Sequence, residues 1–309
     1  MGLFDIGTYL RCAREAAGLT HPQVCDLPDG EQICTIENLS HIENGKRRPG
    51  PRTLALLLKR LGKEQVFGDC YLQTSEYEVL MLDKQLSLKY AQFQYNEAEK
   101  ILEQIEARLS IKYLTNRQYL ATNHTMLDLQ LKRITYEEAI PLYTEIVHMT
   151  LPQFETKNFS KAFVSQREAV IILQIANAYG NIGNYEKALD LLEKTYKNLM
   201  RYPNKFHYAD GLFAIYMRAV IKWKGEQGKL EEAIELAEQE IAKAFKTGYA
   251  DTLAGLLYAK NYDNDQMLEK NKLTEKERLE INSGYEIAAI ISEMFQENKA
   301  ADSMRKKIR

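Results

Sequence analysis

Apolar and polar positions recur at helical spacing along the chain, first in short pieces and then in long ones. In the first 66 residues the helical pattern is broken by glycines and turn residues into short segments: Ile6 to Ala17, Thr20 to Cys25, about Ile33 to Asn44, and Thr53 to Leu61. This spacing predicts a small N-terminal domain of five short helices at residues 1–66. A linker at residues 67–74 follows.

The remainder of the chain has long amphipathic stretches, few glycines and a recurring unit. In each copy an aromatic or aliphatic residue and two polar residues precede an alanine and an apolar stripe. The alanines of the copies lie 41, 49 and 45 residues apart: Ala98, Ala139, Ala188 and Ala233. Stacked two-helix hairpins of this period predict a right-handed α-solenoid over residues 75–309. An ordinary helical bundle is the alternative, but it does not need alanine in register four times.

The segment from Thr35 to Pro49 carries the most informative chemistry. Leu39 and Ile42 form an apolar edge that seats on a small core, while the opposite edge shows four polar groups: Thr35, Glu37, Asn38 and His41. Amide, hydroxyl and carboxylate groups on one exposed helix edge can read bases in a major groove. Gly45 ends the helix, and three cations able to neutralise phosphates follow: Lys46, Arg47 and Arg48.

The pattern therefore predicts a helix-turn-helix interface for double-stranded DNA, with His21 at the start of the second helix as a further contact. A solvated helix face is the alternative. The first 66 residues hold nine Lys/Arg against eight Asp/Glu, and the whole chain has a net charge of −2. Affinity for DNA must then come from the local placement of charge, and a homodimer with two interfaces is expected.

A second set of candidate residues lies in the repeat region. Counting back from the repeat alanines places five polar residues on the concave surface: His124, Asp128, Asn177, Arg218 and Lys222. The amide of Asn177 can pair with the backbone of an extended peptide, and Arg218 and Lys222 can take a carboxylate. For the basic pair, an internal salt bridge or a solvated face is the alternative. These residues predict a site for a short oligopeptide.

Catalysis, metal binding and membrane insertion receive no support from the sequence. There is no glycine-rich phosphate loop, HExxH or GxSxG motif, so we expect no enzyme and no cofactor. A zinc site of His21, Cys25, Cys34 and His41 is conceivable, but Cys25 belongs on the core side and His41 on the DNA side, so none is predicted. The four cysteines form no CxxC pair, and no apolar stretch approaches a membrane span; a reducing cytoplasm is expected.

Three motifs resemble known families. Residues 6–62 resemble the Xre/Cro-type helix-turn-helix of phage and bacterial repressors, through LRCAREAAGLT, ICTIENLSHIENGKRRP and TLALLLKRLG. The sequence departs from that pattern where LPDGEQ lengthens the second-helix region by about four residues. The second half resembles tetratricopeptide repeats of unusual length. The whole chain is similar to the peptide-pheromone-responsive regulators of Gram-positive bacteria, the RRNPP group with its Rgg-like and PlcR-like members.

This resemblance implies a cytoplasmic homodimer that takes part in quorum sensing. Its repeats would bind a short imported peptide, and its N-terminal domains would bind an operator and regulate transcription. The resemblance also implies that Arg14 pairs with Glu43 for a structural purpose. The alternative function is a protein-interaction module, in which the repeats dock a protein partner and the helix-turn-helix acts as a tether.

Overall fold

The computed structural model describes residues 6–26, 32–47, 49–63, 72, 74, 76–159, 162, 164–200, 209–247, 252–269, 274–295 and 297–309. The described residues form fifteen α-helices and no strand, which confirms the predicted all-α class. Four helices lie in the N-terminal domain: α1 (Ile6–Ala16), α2 (His21–Cys25), α3 (Ile36–Glu43) and α4 (Pro51–Arg60). The fifth helix predicted for residues 1–66 is not among the described residues, and most of the predicted linker at residues 67–74 also lies outside them.

Eleven further helices build the repeat array. Their bounds are α5 (Tyr77–Ala91), α6 (Tyr95–Glu106), α7 (Leu114–Gln130), α8 (Tyr136–His148), α9 (Gln166–Asn181), α10 (Tyr185–Met200), α11 (Ala209–Glu226), α12 (Leu230–Thr247), α13 (Leu253–Glu269), α14 (Glu275–Met294) and α15 (Asn298–Arg305). Consecutive helices pack against each other from α5–α6 to α14–α15. The four repeat alanines, at the starts of α6, α8, α10 and α12, are fully buried, because a small side chain lets paired helices approach closely.

The N-terminal domain has a core of its own, in which Leu10, Val24, Leu39, Ile42 and Leu57 are almost completely buried. Its helices approach one another very closely at α1 and α3. A Cβ atom on Gly7 of α1 would lie 1.8 Å from the carbonyl oxygen of Ile42 on α3. Only glycine fits there, so the orientation of α3 depends on this contact.

Helix α3, which carries the predicted DNA-reading edge, begins later than the sequence pattern suggested. Thr35 is its N-cap, and the Thr35 hydroxyl accepts a hydrogen bond from the backbone N–H of Asn38 at 3.2 Å. The residues before it are extended because the N–H of Ile33 donates to the carbonyl of Cys25 at 2.7 Å and Asp26 bridges to Gln32. This short pairing closes the neck of the lengthened segment, whose tip at residues 27–31 lies outside the described residues.

The two ends of the repeat array meet. Lys299 of α15 donates a hydrogen bond at 3.1 Å to the carbonyl of Phe93, in the turn between α5 and α6. Phe93 occupies the left-handed backbone region at φ 55°. Among the helices that the structure describes, none is long and apolar enough to cross a membrane.

Candidate DNA interface and concave groove

The outer edge of α3 is a row of accessible polar side chains. Glu37 and His41 are exposed, and Thr35 is exposed at the cap. Asn38 is half-buried, and its side-chain Oδ1 atom is buried without a hydrogen-bond partner. Reading adenine requires both amide atoms, so Asn38 must rotate about its side-chain bonds to do so. The other three groups can meet a ligand without rearrangement of the helix.

The loop after α3 presents cations beside that edge. Gly45 has φ +70° and terminates the helix, which turns the chain so that Lys46 and Arg47 follow as exposed residues. Arg48, the third predicted phosphate contact, lies outside the described residues. Exposed cations next to a polar helix edge can bind phosphates while the helix faces the bases.

His21 belongs to a buried network beneath this surface. Glu43 is 3% exposed and accepts two hydrogen bonds from Arg14, Nε to Oε1 at 2.7 Å and Nη2 to Oε2 at 2.8 Å. The His21 Nε2 atom lies 3.1 Å from Glu43 Oε2, and Arg14 Nη1 donates to the carbonyl of Leu19. The Arg14–Glu43 pair is therefore confirmed, and this network ties α1, α2 and α3 together. His21 is engaged by Glu43, so a DNA contact from its ring would have to compete with that interaction.

Cys25 and Cys34 lie side by side, with their sulfur atoms 4.0 Å apart. Burial, followed by the neighbouring thiol, raises the pKa of Cys25 to about 12, which makes it an unreactive thiol at neutral pH. His21 is turned toward Glu43 and His41 toward solvent, so neither joins the pair. Among the described residues, no three His, Cys, Asp or Glu side chains are grouped to hold a metal ion.

In the repeat array, Asn177 of α9 is oriented by the only tryptophan of the chain. The indole Nε1–H of Trp223 on α11 donates to Asn177 Oδ1 at 3.0 Å. This bond fixes the amide so that its Nδ2 group, which has no partner among the described residues, is the outward donor. Tyr185 stacks on Trp223 with ring centroids 6.2 Å apart, and Gly180 lies under the indole ring.

Lys222 provides a cation beside this amide. Its Nζ lies 4.0 Å from the centroid of the Trp223 ring, and Lys222 has no carboxylate within salt-bridge distance among the described residues. The internal salt bridge considered for it is therefore not formed. Solvent reaches Lys222, yet partial burial lowers its pKa by desolvation; Glu226 raises that pKa and Arg218 lowers it.

The neighbouring Arg218 crosses to the next repeat. A Cβ on Gly255 of α13 would lie 2.7 Å from Arg218 Cδ and Nη1, so the arginine packs over a bare backbone. Arg218 and Lys222 are one turn apart on α11 and follow the same face. Together with the Asn177 amide they supply donors for an anionic or carbonyl group.

The structure engages His124 and Asp128 in surface ion pairs. His124 Nε2 lies 3.0 Å from Glu106 Oε2 on α6, and Asp128 Oδ1 lies 3.3 Å from Arg133, which also binds Glu99. These contacts join α7 to α6 and to the turn that follows α7. Asn177, Arg218 and Lys222 lie on adjacent first helices, α9 and α11, whereas His124 and Asp128 lie one repeat earlier.

Comparison with known proteins identifies the N-terminal region. Residues 5–65 match the model of a family described as a helix-turn-helix domain. This segment is a helix-turn-helix domain. No curated protein sequence matches the chain.

The whole chain shares its fold with two proteins of known structure. PlcR from Bacillus thuringiensis, in complex with the peptide PapR7 and DNA, matches with a TM-score of 0.60 and 18% identity over 97% of this chain and 99% of that chain. Apo PlcR matches with a TM-score of 0.55 and 17% identity, covering 97% and 99%. ComR from S. thermophilus, in complex with DNA and its signalling peptide ComS, matches with a TM-score of 0.53 and 15% identity, covering 98% of each. The likeness establishes a fold of helix-turn-helix domain followed by tetratricopeptide-like helical hairpins.

The residues that orient the candidate peptide-binding side chains were not predicted from the sequence. Trp223 was overlooked, although a single tryptophan next to a predicted groove lysine is a visible signal. Gly180 was overlooked too, although a glycine inside a helical pattern indicates a close approach. In the repeat array, the contact between Asn177 and Trp223 depends on how α9 packs against α11, and that packing could not be predicted from the sequence.

Proposed function

We propose that this chain is a transcription regulator that binds DNA through its helix-turn-helix domain and a short signalling peptide in its repeat groove. The exposed edge of α3 and the cations Lys46 and Arg47 support the first activity. The groove donors Asn177 and Lys222 support the second. PlcR and ComR, which share the fold, were solved with DNA and peptides, and this favours the same two ligands here.

The observation that carries the peptide half is the arrangement around Trp223. The indole holds Asn177 so that its Nδ2 donor has no partner among the described residues, and Lys222 lies over the same ring with no carboxylate of those residues at salt-bridge distance. A backbone carbonyl suits the amide, and a carboxylate suits the lysine, whose ammonium group gains from pairing because the groove desolvates it. A peptide with a free C-terminal carboxylate or an acidic side chain offers both groups.

Peptide binding is expected to alter operator binding by shifting the arrangement of domains. A ligand can do so only if it binds one arrangement better than another. The peptide contacts α9 and α11 in this proposal, and both helices pack within the central repeats. A small change in their relative placement would be passed to the helix-turn-helix domain and thereby regulate transcription in the cytoplasm.

A homodimer completes the proposal, because one domain offers few phosphate contacts. An apolar stripe on α14 is exposed at helical spacing and supports a contact between two copies: Leu279, Ile287, Ile290 and Met294. Large exposed apolar side chains in a row are typical of protein interfaces. Sedimentation of Ile287→Glu tests this contact, with Glu280→Gln on the same helix as the control; a dimer that persists in Ile287→Glu contradicts it.

The DNA half is tested by fluorescence anisotropy at 150 mM salt, a concentration of about physiological strength. The probes are duplexes that the full-length protein selects from a random-sequence library and a scrambled duplex of the same length. We expect the selected duplex to bind at least about a thousandfold more tightly, as specific sites usually do. Equal binding of both duplexes at every salt concentration would sink the DNA claim.

The peptide half is tested with a pool of random heptapeptides, prepared once with free C-terminal carboxylates and once as amides. Equilibrium dialysis with mass spectrometry should show enrichment of free-acid peptides by the wild-type protein. Lys222→Met should reduce that enrichment roughly tenfold, the value of one charge-assisted hydrogen bond. Lys229→Met, an exposed lysine in the turn before α12, is the control. Equal retention of both pools by the wild type would contradict the proposed carboxylate contact.

One cavity favours the second candidate function, the docking of a protein partner. A cavity of about 450 Å³ lies between α10, α11 and α12. Its lining includes the side chains of Tyr196, Met217 and Leu236, the carboxylates of Glu193 and Glu235, and the Lys224–Glu232 ion pair. A basic partner segment would suit it. Binding of whole basic proteins without any retention of heptapeptides would favour this function over the first.

A further inference from the structure

A buried ion pair joins the helix-turn-helix domain to the repeat array. Lys63 Nζ donates to both carboxylate oxygens of Glu168, at 3.0 and 3.2 Å, across 105 residues of sequence. Only 9% of the lysine side chain and 2% of the glutamate side chain are exposed. A buried charge is stable only beside its partner, so the two groups hold one geometry where an apolar contact would allow sliding.

Lys63 and Glu168 are each also held by a hydrogen bond within their own segment. The N–H of Lys63 donates to the carbonyl of Leu58 at 2.7 Å, which closes the end of α4 directly after Gly62. Glu168 belongs to the capping box of α9, where its Oε2 accepts a hydrogen bond from the N–H of Ser165 at 2.7 Å. The pair therefore connects the residues directly after α4 to the first turn of α9.

The helix α9 continues from this contact into the groove. Arg167, next to Glu168, donates to the carbonyl of Thr115 at 2.7 Å and lies over the ring of Tyr119, which anchors α9 on the preceding repeat. Asn177 follows nine residues after Glu168, about 13 Å along a continuous helix. One helix thus touches the N-terminal domain at its start and carries the groove amide near its end.

We propose that the Lys63–Glu168 pair is the joint that sets the position of the helix-turn-helix domain on the repeat array, and with it the spacing of two recognition helices in the dimer. This inference rests on the proposed function. The polar edge of α3 and the cation Lys46 remain exposed while the pair is formed, so the joint acts through spacing and leaves the recognition surface open. Groove occupancy would reach the joint through α9.

The first test measures amide hydrogen exchange in the full-length protein. Lys63→Met removes one charge and leaves the capping box of α9 intact. We expect exchange to rise roughly tenfold both at the end of α4 and in the first turn of α9, because the two elements lose a shared constraint. Lys84→Met, an exposed lysine on α5, is the control and should change neither segment. If the exchange rate at the start of α9 in Lys63→Met equals that of the wild type, the proposed joint is wrong.

A second variant covers the case in which Lys63→Met does not fold. Lys63→Met/Glu168→Gln carries no unpaired buried charge, and glutamine still accepts in a capping box. The double variant should fold with wild-type helix content and still show faster exchange in both segments. Protection at the wild-type level in the double variant would mean that the contact carries no coupling, which also overturns the proposal.

The second test uses DNA with two half-sites taken from the wild-type selected duplex, joined by spacers that increase by single base pairs. The wild type should prefer its best spacing at least about tenfold over one lengthened by about five base pairs, half a turn of the duplex. Lys63→Met/Glu168→Gln should prefer it less than about threefold, while a single half-site binds equally to both proteins.

A spacing preference that survives in the double variant overturns the joint. If the wild type binds no duplex selectively, the proposed function fails instead, and the exchange measurement still decides whether α4 and α9 are coupled.

Discussion

Two buried carboxylates, one in the helix-turn-helix domain and one in the repeat array, differ in how completely their oxygen atoms are hydrogen-bonded. Glu43 in the N-terminal domain lies against Arg14 and His21, and both of its oxygens are engaged. Asp263 on α13 is equally buried, yet its Oδ2 atom has no hydrogen-bond partner. Its Oδ1 lies against the backbone of Gly225 on α11.

The difference follows from how each region is built. The N-terminal domain has four described helices around one core, so a buried charge that lacked a partner would destabilise the whole domain. The array spreads its stability over many helix pairs, and one poorly satisfied group costs only the local interface. The helix-turn-helix domain is therefore expected to be sensitive to single polar substitutions, and the array tolerant.

The largest expected effect is in the N-terminal domain. Glu43→Ala removes the carboxylate that accepts two hydrogen bonds from Arg14 and leaves only the exposed Glu15, at 3.7 Å, as a counter-charge. It should destabilise the domain by about 3 to 5 kcal/mol, with loss of DNA binding as a consequence. Thermal unfolding of the full chain, followed by anisotropy, measures both. Glu37→Ala, on the exposed side of the same helix, should change stability by less than about 0.5 kcal/mol. Lost binding at an unchanged melting temperature would show that Glu43 is a direct DNA contact.

The second expected effect lies in the array and depends on pH. Burial, followed by the charge of Glu226, raises the pKa of Asp263 to about 7 from an ordinary 3.8. The folded state thus holds the proton more tightly than the unfolded state, so this group's contribution to stability falls as pH rises from about 4 to about 7.

Asp263→Asn removes that titration. Its stability relative to wild type should increase by about 2 to 3 kcal/mol between pH 5 and pH 8, measured by urea unfolding at each pH. Asp190→Asn, an exposed aspartate paired with Lys194, should show no such pH dependence. A constant difference between Asp263→Asn and wild type would mean that Asp263 is ionised in both states.

A third effect tests the contact between α9 and α11. A Cβ on Gly180 would lie 2.4 Å from the indole ring of Trp223, so Gly180→Ala should force the ring away and cost about 1 to 3 kcal/mol. Gly50→Ala, at a position where a Cβ meets open space, should cost less than about 1 kcal/mol. The near-ultraviolet circular dichroism of the only tryptophan reports the displacement. An unchanged signal would contradict the close packing.

The smallest expected effect is at the DNA surface. Lys46→Ala should lower the slope of log Kd against log salt concentration by about one unit and leave the sequence preference unchanged, because a phosphate contact carries no base information. Lys229→Ala, far from the N-terminal domain, is the control. A changed sequence preference in Lys46→Ala would mean that Lys46 contacts the bases and not the phosphates.

Local signals explain what could be predicted from the sequence. Thr20 caps α2, Gly45 ends α3 and the repeat alanines are buried, because each depends on neighbours within one or two turns. The Arg14–Glu43 pair was implied by the resemblance to the Xre/Cro-type helix-turn-helix. The start of α3 was placed too early because the pairing of Cys25 with Ile33 overrides the helical pattern.

Contacts between residues that are distant in the sequence could not be predicted from these local signals. Nothing in the local pattern relates Lys63 to Glu168, since both read as ordinary surface residues until α4 and α9 meet. The groove face of α7 was assigned by counting turns. The pairing of His124 with Glu106 could not be predicted in that way, because it depends on how α6 packs against α7.

The hydrogen bond from Lys299 to the carbonyl of Phe93 has a topological consequence. Because the last helix touches the first turn of the array, Lys299 links two segments that lie 206 residues apart in the sequence. The described helices from α5 to α15 thus form a closed series of contacts and not an open row. A change at the C-terminal helix can therefore reach the turn between α5 and α6 directly.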